Sequence, residues 1–187
     1  MCGIVVYAGA RQATSLLMEG LKRLEYRGYD SSGLAVVEWH AVLRLRAPGK
    51  LVNLEALLKT SPLKGSVALG HTHWATHGKP SEENAHPHAD CSKNLVVIHN
   101  GIIENYLELK DKLAAAGHGF ESETDTEVLA HLIEEKLKNL QGPPSGTPDL
   151  NEPLLFEATR LALNEVRGAY ALAVLWGKAP GVIIAAK

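Results

Sequence analysis

Strand-like and helix-like segments arrive in blocks along this chain rather than in strict alternation, and that order does most to limit how it can fold. Cys2–Tyr7 is a short apolar, β-branched run closed by Gly9, and it reads as a buried strand starting at the terminus itself. Ala13, Leu16, Leu17, Leu21 and Leu24 then follow helical spacing, with Lys22 and Arg23 on the other side. Past a polar, turn-like stretch from Tyr26 to Ser32, Gly33–Glu38 reads as a second strand and Leu51–Lys59 as a short amphipathic helix. Val67–Gly70 and Leu95–Ile98 are two further apolar strands. Asn105 with Glu108, and Thr124 with Glu127, have the spacing of capping boxes opening two more helices. Gly117 and Gly119 stop the first, and the second carries Val128, Leu129, Leu132, Ile133 and Leu137 on one face. Gln141–Pro148 is a Gly/Pro-rich surface loop, Pro153–Val166 a helix stopped by Gly168, and Ala169–Trp176 and Val182–Ala186 two last strands joined by a turn at Lys178–Gly181. The order suits an α+β sandwich, with helices outside stacked sheets, better than a doubly wound parallel sheet.

At 187 residues the chain can bury one full-sized core, and its 45% hydrophobic and 21% charged content is that of a globular protein. A formal net charge of −2 gives no electrostatic footprint for nucleic acid. No basic n-region with an apolar h-region opens the chain, and no apolar run approaches the ~18 residues a membrane span needs. With only Cys2 and Cys91, a disulfide framework is not the organising device, so the expected setting is cytoplasmic and reducing. Neither G-x-G-x-x-G nor a P-loop pattern occurs, and there is no internal repeat.

Four places carry chemistry. If Met1 is removed, the Cys2 thiol stands beside a free α-amino group, whose ordinary pKa of ~7.7–8.0 lies below the ~8.5 of a thiol. One residue would then hold both nucleophile and general base; the alternative is a buried structural cysteine. Asn100–Gly101 is a hairpin-turn signal, or else an oxyanion hole made of a side-chain amide and a backbone N–H. Asp125, in the first turn of an expected helix, either complements the helix dipole or pairs with a substrate ammonium. Five of nine histidines fall between His71 and His88, in two H-x-H pairs, His71/His73 and His86/His88. That spacing could hold a metal, but no further ligand is arranged beside it except Asp90 and Cys91, and hydrogen-bonded core or active-site histidines explain it better. No metal and no cofactor is expected.

Met1–Ile4 (MCGI), Leu24–Ser31 (LEYRGYDS), Gly70–Gly78 (GHTHWATHG), Asn84–His88 (NAHPH), His99–Asn105 (HNGIIEN) and Ser122–Val128 (SETDTEV) resemble the motifs of class II glutamine amidotransferases, in family order along nearly the whole chain. The wording E-Y-R-G-Y-D is similar to the glucosamine-6-phosphate synthase branch. The resemblance implies a four-layer αββα sandwich of the N-terminal nucleophile hydrolase type, with two antiparallel sheets between layers of helices. It implies that Cys2 attacks the side-chain amide of L-glutamine while its α-amino group moves the proton, and that Asn100 and Gly101 form the oxyanion hole. It further implies that Asp125 holds the glutamine α-ammonium, that Thr76 and His77 contact the α-carboxylate, that Arg27 positions the nucleophile's end of the chain, and that Trp74 gates ammonia. The partner it implies is a sugar-phosphate isomerase-like synthase domain normally on the same chain, with a homodimer in the full-length protein.

Three departures accompany the resemblance. The family pattern reads G-H-T-R-W-A-T-H-G, and here His73 replaces the arginine that would clamp the α-carboxylate, so weakened glutamine binding is expected. Val6 stands where the family has glycine, either crowding the substrate or filling the strand. Residues 1–187 are expected to form a single glutaminase domain cut short at its C-terminal end, without the isomerase domain. The alternative function these departures leave open is a catalytically weak glutamine-binding or regulatory module.

Overall fold

The chain runs β1 (Gly3–Ala8), α1 (Ala13–Leu24), a 3₁₀ turn (Glu25–Arg27), β2 (Ser31–Glu38), β3 (Ala41–Pro48), α2 (Leu51–Thr60), β4 (Val67–His73), β5 (His88–Ala89), β6 (Leu95–Gly101), α3 (Tyr106–Ala115), α4 (Glu127–Gln141), α5 (Asn151–Glu165), β7 (Tyr170–Trp176) and β8 (Val182–Ala186). This is a computed structural model, and it describes residues 2–74, 79–141, 151–179 and 181–186. The strands form two four-stranded sheets, ordered β1-β4-β2-β3 and β5-β6-β7-β8, and every pairing is antiparallel.

Both faces of the central strands are buried, which is why they read as continuous apolar runs rather than alternating ones. Leu95 and Val97 of β6, with Leu172 and Val174 of β7, pack under α3, α4 and α5. The intervening Val96, Ile98, Ala173 and Leu175 meet Ala35 and Leu69 of the other sheet. Leu34 and Val36 of β2 turn outward again, onto Leu17 and Leu21 of α1 and Leu54 of α2. The period of two along each strand thus builds three cores, one between the sheets and one under each helical layer. Each fully buried Leu or Ile in them contributes ~1.5–3 kcal/mol. The αββα sandwich expected above is the fold observed.

Several local expectations are corrected. β3 was not legible, because the turn before it places Trp39 (φ 50°) and His40 (φ 65°) in the left-handed region without the Asn-Gly or Asp-Gly that normally signals such a hairpin. Asn100–Gly101 is not a hairpin turn. Both residues belong to β6, opposite Ala171 and Tyr170, and the chain leaves them toward α3. Asn105 precedes α3 but makes no side-chain cap; its amide instead donates to Glu165 O (2.9 Å) and accepts from Arg167 N–H (2.9 Å). Glu127 pairs with no Thr124 cap either. Its carboxylate accepts from the backbone N–H of Glu121 (2.8 Å) and Ser122 (2.7 Å), folding the preceding loop over the start of α4. Most of the expected Gln141–Pro148 loop lies outside the described residues.

Candidate active site

Register brings the motif residues to one edge of the sandwich. Gly3 pairs with Thr72 and Ser31 with His73, so Cys2 sits beside the end of β4, and the end of β6 faces it from the other sheet. Cys2, Arg27, His73, Asn100, Gly101 and Asp125 line one cavity of about 320 Å³, together with His86, His99, Ile102 and Thr126. Thr76 and His77 lie outside the described residues.

The Cys2 thiol accepts the backbone N–H of Trp74 at 3.3 Å. Burial pushes its pKa up, while that hydrogen bond and the positive charge of Arg27 pull the other way. The Trp74 indole is half-exposed at the rim and meets the Tyr29 ring edge-on, with centroids 5.3 Å apart. Asp125 is buried; its Oδ2 accepts the Ile103 N–H at 2.8 Å, which fixes the carboxylate against the cavity wall. Gly101 has φ +135°, and a Cβ there would stand 2.3 Å from the carbonyl oxygen of Ala169. Only glycine lets the end of β6 take this shape.

Asn100 is held at both ends of its amide. Its Nδ2 donates to the Cys2 carbonyl oxygen (3.2 Å) and its Oδ1 stands 2.7 Å from His71 Nε2. The opposite flip would set two carbonyl oxygens against each other at Cys2, so His71 Nε2 must carry the proton. Burial drops the His71 pKa to about 3, with the charge of His73 adding to it, so the ring is neutral and its Nδ1 is an acceptor. His86 Nδ1 therefore donates to His71 Nδ1 (2.9 Å), and His86 Nε2 accepts from the Thr126 hydroxyl (2.9 Å). Thr126 in turn accepts from His99 Nδ1 (3.0 Å). A chain of neutral rings with assigned tautomers thus runs from Thr126, just before α4, to the amide facing Cys2. One member of each H-x-H pair, His71 and His86, serves this chain, and His88 Nε2 stands 3.0 Å from the Thr124 hydroxyl.

His73 lies in the same cavity, buried, and burial lowers its pKa against the pull of Asp30 and Asp125. It is neutral at pH 7 and offers one N–H where a guanidinium would offer five. His99 and Thr126 were not singled out from sequence, and His71 and His86 only as members of the H-x-H pairs. The clustering of histidines was the available signal, but their mutual contacts depend on β4, β6 and α4 converging.

Comparison with known proteins agrees with this geometry. Residues 59–142 match the family described as "Glutamine amidotransferase domain". Over its whole length the chain is 49% identical to glutamine–fructose-6-phosphate aminotransferase (isomerizing) of Rhizobium meliloti, covering 28% of that protein. It is 51% identical to the same-named protein of Thermus thermophilus over 93% of this chain and 26% of that protein. In structure it is similar to glutamine phosphoribosylpyrophosphate amidotransferase of B. subtilis, with a TM-score of 0.76 and 25% identity over 100% of this chain and 37% of that chain. The fold is that of the N-terminal nucleophile type, and residues 59–142 within it carry the match to the glutamine amidotransferase domain family. Over its whole length the chain aligns with part of the glutamine–fructose-6-phosphate aminotransferases, and it spans about 28% of their length.

Proposed function

We propose that this chain hydrolyses the side-chain amide of L-glutamine to glutamate and ammonia through a thioester on Cys2. Once Met1 is removed, the Cys2 thiol gives its proton to its own α-amino group, through a water, and the sulfur attacks the amide carbon. The oxyanion that forms takes hydrogen bonds from Asn100 Nδ2 and the Gly101 N–H. As the tetrahedral species collapses, the C–N bond breaks, the leaving nitrogen takes up the proton, and ammonia departs. Water then attacks the thioester, releasing glutamate and restoring the thiol. Asp125 receives the substrate ammonium and His73 is the described residue assigned to the α-carboxylate, for which the motif resemblance also assigns Thr76 and His77; Arg27 steadies the nucleophile's end of the chain.

The observation that carries this reading is the orientation of Asn100. Its amide nitrogen faces Cys2 (3.2 Å to the carbonyl oxygen), held there from behind by neutral His71. Prepositioned donors of this kind are among the largest contributors to acyl-transfer catalysis. The names of the relatives, and the 28% of their length that this chain spans, support a destination for the ammonia on a longer protein, fructose 6-phosphate. The rest of this reading, an isomerase-like synthase domain in a cytoplasmic homodimer with Trp74 gating passage, rests on the motif resemblance alone. Among the described residues no helix is long and apolar enough to cross a membrane. The test is glutamate release from L-glutamine by the Met1-processed chain, compared with Cys2→Ala. Turnover abolished in the variant is expected; equal turnover in both contradicts the reading.

A further inference from the structure

Beside a second cavity that shares no lining residue with the Cys2 cavity, four side chains converge from three separate segments. Cys91 comes from the β5–β6 turn, His118 from the loop after α3, and His131 and Glu134 from one face of α4, three residues apart. One ligand-type atom from each lies within 4.8 Å of all the others. Cys91 Sγ is 3.6 Å from His118 Nδ1 and 3.5 Å from His131 Nδ1. Glu134 Oε2 is 3.1 Å from His118 Nδ1 and 3.3 Å from His131 Nδ1. Tetrahedral zinc, with Zn–S of ~2.3 Å and Zn–N or Zn–O of ~2.0–2.2 Å, requires edges of about 3.3–3.6 Å between its ligand atoms. The four distances fall on or close to those edges.

The outer groups match in part. His118 Nε2 stands 3.1 Å from Glu135 Oε2, and Glu127 Oε1 is 3.7 Å from His131 Nε2. The carboxylate behind His118 is at hydrogen-bond distance and orients that ring as for ligating histidines, whereas Glu127 makes only an ion-pair contact with His131, whose Nε2 has no hydrogen-bond partner among the described residues. Both Nδ1 atoms point at the common centre, where they meet Glu134 Oε2. Glu134 Oε1 is held by Lys138 at 2.8 Å, which leaves Oε2 for the centre, where the Cys91 N–H also reaches it at 3.1 Å. A thiolate and a carboxylate with two neutral imidazoles carry two negative charges, which a divalent cation balances. Entry is open: Cys91 and His131 line a surface cavity of about 430 Å³ that shares no residue with the Cys2 cavity.

We propose that Cys91, His118, His131 and Glu134 form a closed four-ligand site for a zinc-class divalent cation. On binding, two protons pass to solvent. The Cys91 S–H bond gives way to an S–metal bond, and His131, whose pKa is raised to about 9 when the opposing effect of burial is outweighed by Glu127 and Glu134, gives up its Nδ1 proton for an N–metal bond. With no position left for substrate, the site is structural. It ties the β5–β6 turn and the α3–α4 loop to α4, whose preceding residues, Asp125 and Thr126, line the Cys2 cavity.

The test uses the full chain, stripped with a chelator and then titrated with Zn²⁺ against a chromogenic chelator and with Co²⁺ by absorption. Expected are one ion per chain, a near-ultraviolet thiolate-to-cobalt band, and the ligand-field spectrum of a tetrahedral centre. Cys91→Ser, a change at an exposed position, removes the band and raises Kd roughly tenfold or more. Glu135→Gln raises Kd about 10–100-fold while the circular dichroism stays unchanged. Cys2→Ala alters neither the Kd nor the band. Failure to bind one ion per chain, a band that survives Cys91→Ser, or a band lost in Cys2→Ala overturns the proposal.

Discussion

His71 Nε2 stands 2.7 Å from Asn100 Oδ1 and fixes which way the Asn100 amide faces. Because burial keeps His71 neutral, with a pKa of about 3, its one ring proton is committed to that contact. Asn100→Ala removes the donor without touching the thiol. It is expected to lower kcat about 10²–10³-fold with little change in KM, as loss of an oxyanion donor does elsewhere. Steady-state glutaminase kinetics check this; a rise in KM at constant kcat contradicts the role.

Thr126 is the relay between His86 and His99. Thr126→Val keeps the shape but strands one buried acceptor and one buried donor, at about 1–3 kcal/mol for each group left unpaired. Urea unfolding is expected to show that loss, and Thr126→Ser to recover most of it. Equal stability of the valine variant would show that the hydroxyl is not the link.

Acid should unfold this chain through its histidines before its carboxylates. His71, His73, His86, His88 and His99 all have pKa values lowered mainly by burial. Unfolded, each titrates near ~6.5. Their contribution is therefore fully present above pH ~6.5 and is lost as pH falls toward the folded values, because the unfolded chain takes up protons that the folded one refuses. Between about pH 6.5 and 5, stability is expected to fall by more than the ~1.4 kcal/mol per pH unit that a single group supplies. Urea midpoints across that window measure the slope; a flat profile contradicts neutral burial.

His73→Arg restores a charged, planar clamp opposite the expected α-carboxylate. One charge-assisted contact is worth ~1.5–3 kcal/mol, so KM for glutamine is expected to drop about tenfold or more, with kcat changing less. No gain in kcat/KM would mean that His73 does not limit binding.

Gly101→Ala would force a Cβ to within 2.3 Å of the Ala169 carbonyl oxygen at a positive φ. Loss of both activity and stability is expected, by ~1 kcal/mol or more. Thermal unfolding and turnover measured on the same sample test this, and an unaffected variant would show that this end of β6 yields easily.

That Cys2, Asn100, Gly101 and Asp125 belong to one site was legible because each lies in a short contiguous motif resembling the family's, whereas their residue types alone left a structural reading open at each. Paired sheets and outer helices were legible from the apolar runs and the order of elements. β3 was hidden by a left-handed turn built from Trp39 and His40, and by Arg44 and Arg46 in the strand. Those arginines donate to the carbonyls of Pro87 and Ala85 and hold the His86 segment in place, a use visible only once the strand is placed. The His71–His86–Thr126–His99 chain and the Cys91–His118–His131–Glu134 cluster share the same obstacle. Their members come from segments far apart in sequence, and no local spacing encodes their meeting. The H-x-H spacing pointed elsewhere, to rings of which His71, His86 and His88 are committed to hydrogen bonds.

Everything proposed for the Cys2 cavity depends on Cys2 being the residue that attacks. The direct measurement is mass spectrometry of the Met1-processed chain after reaction with an electrophilic glutamine analogue, followed by peptide mapping. A single adduct on the N-terminal Cys2, blocked by excess glutamine and absent from Cys2→Ala, is the predicted result. An adduct on Cys91, or a folded chain that reacts at neither cysteine, would contradict it.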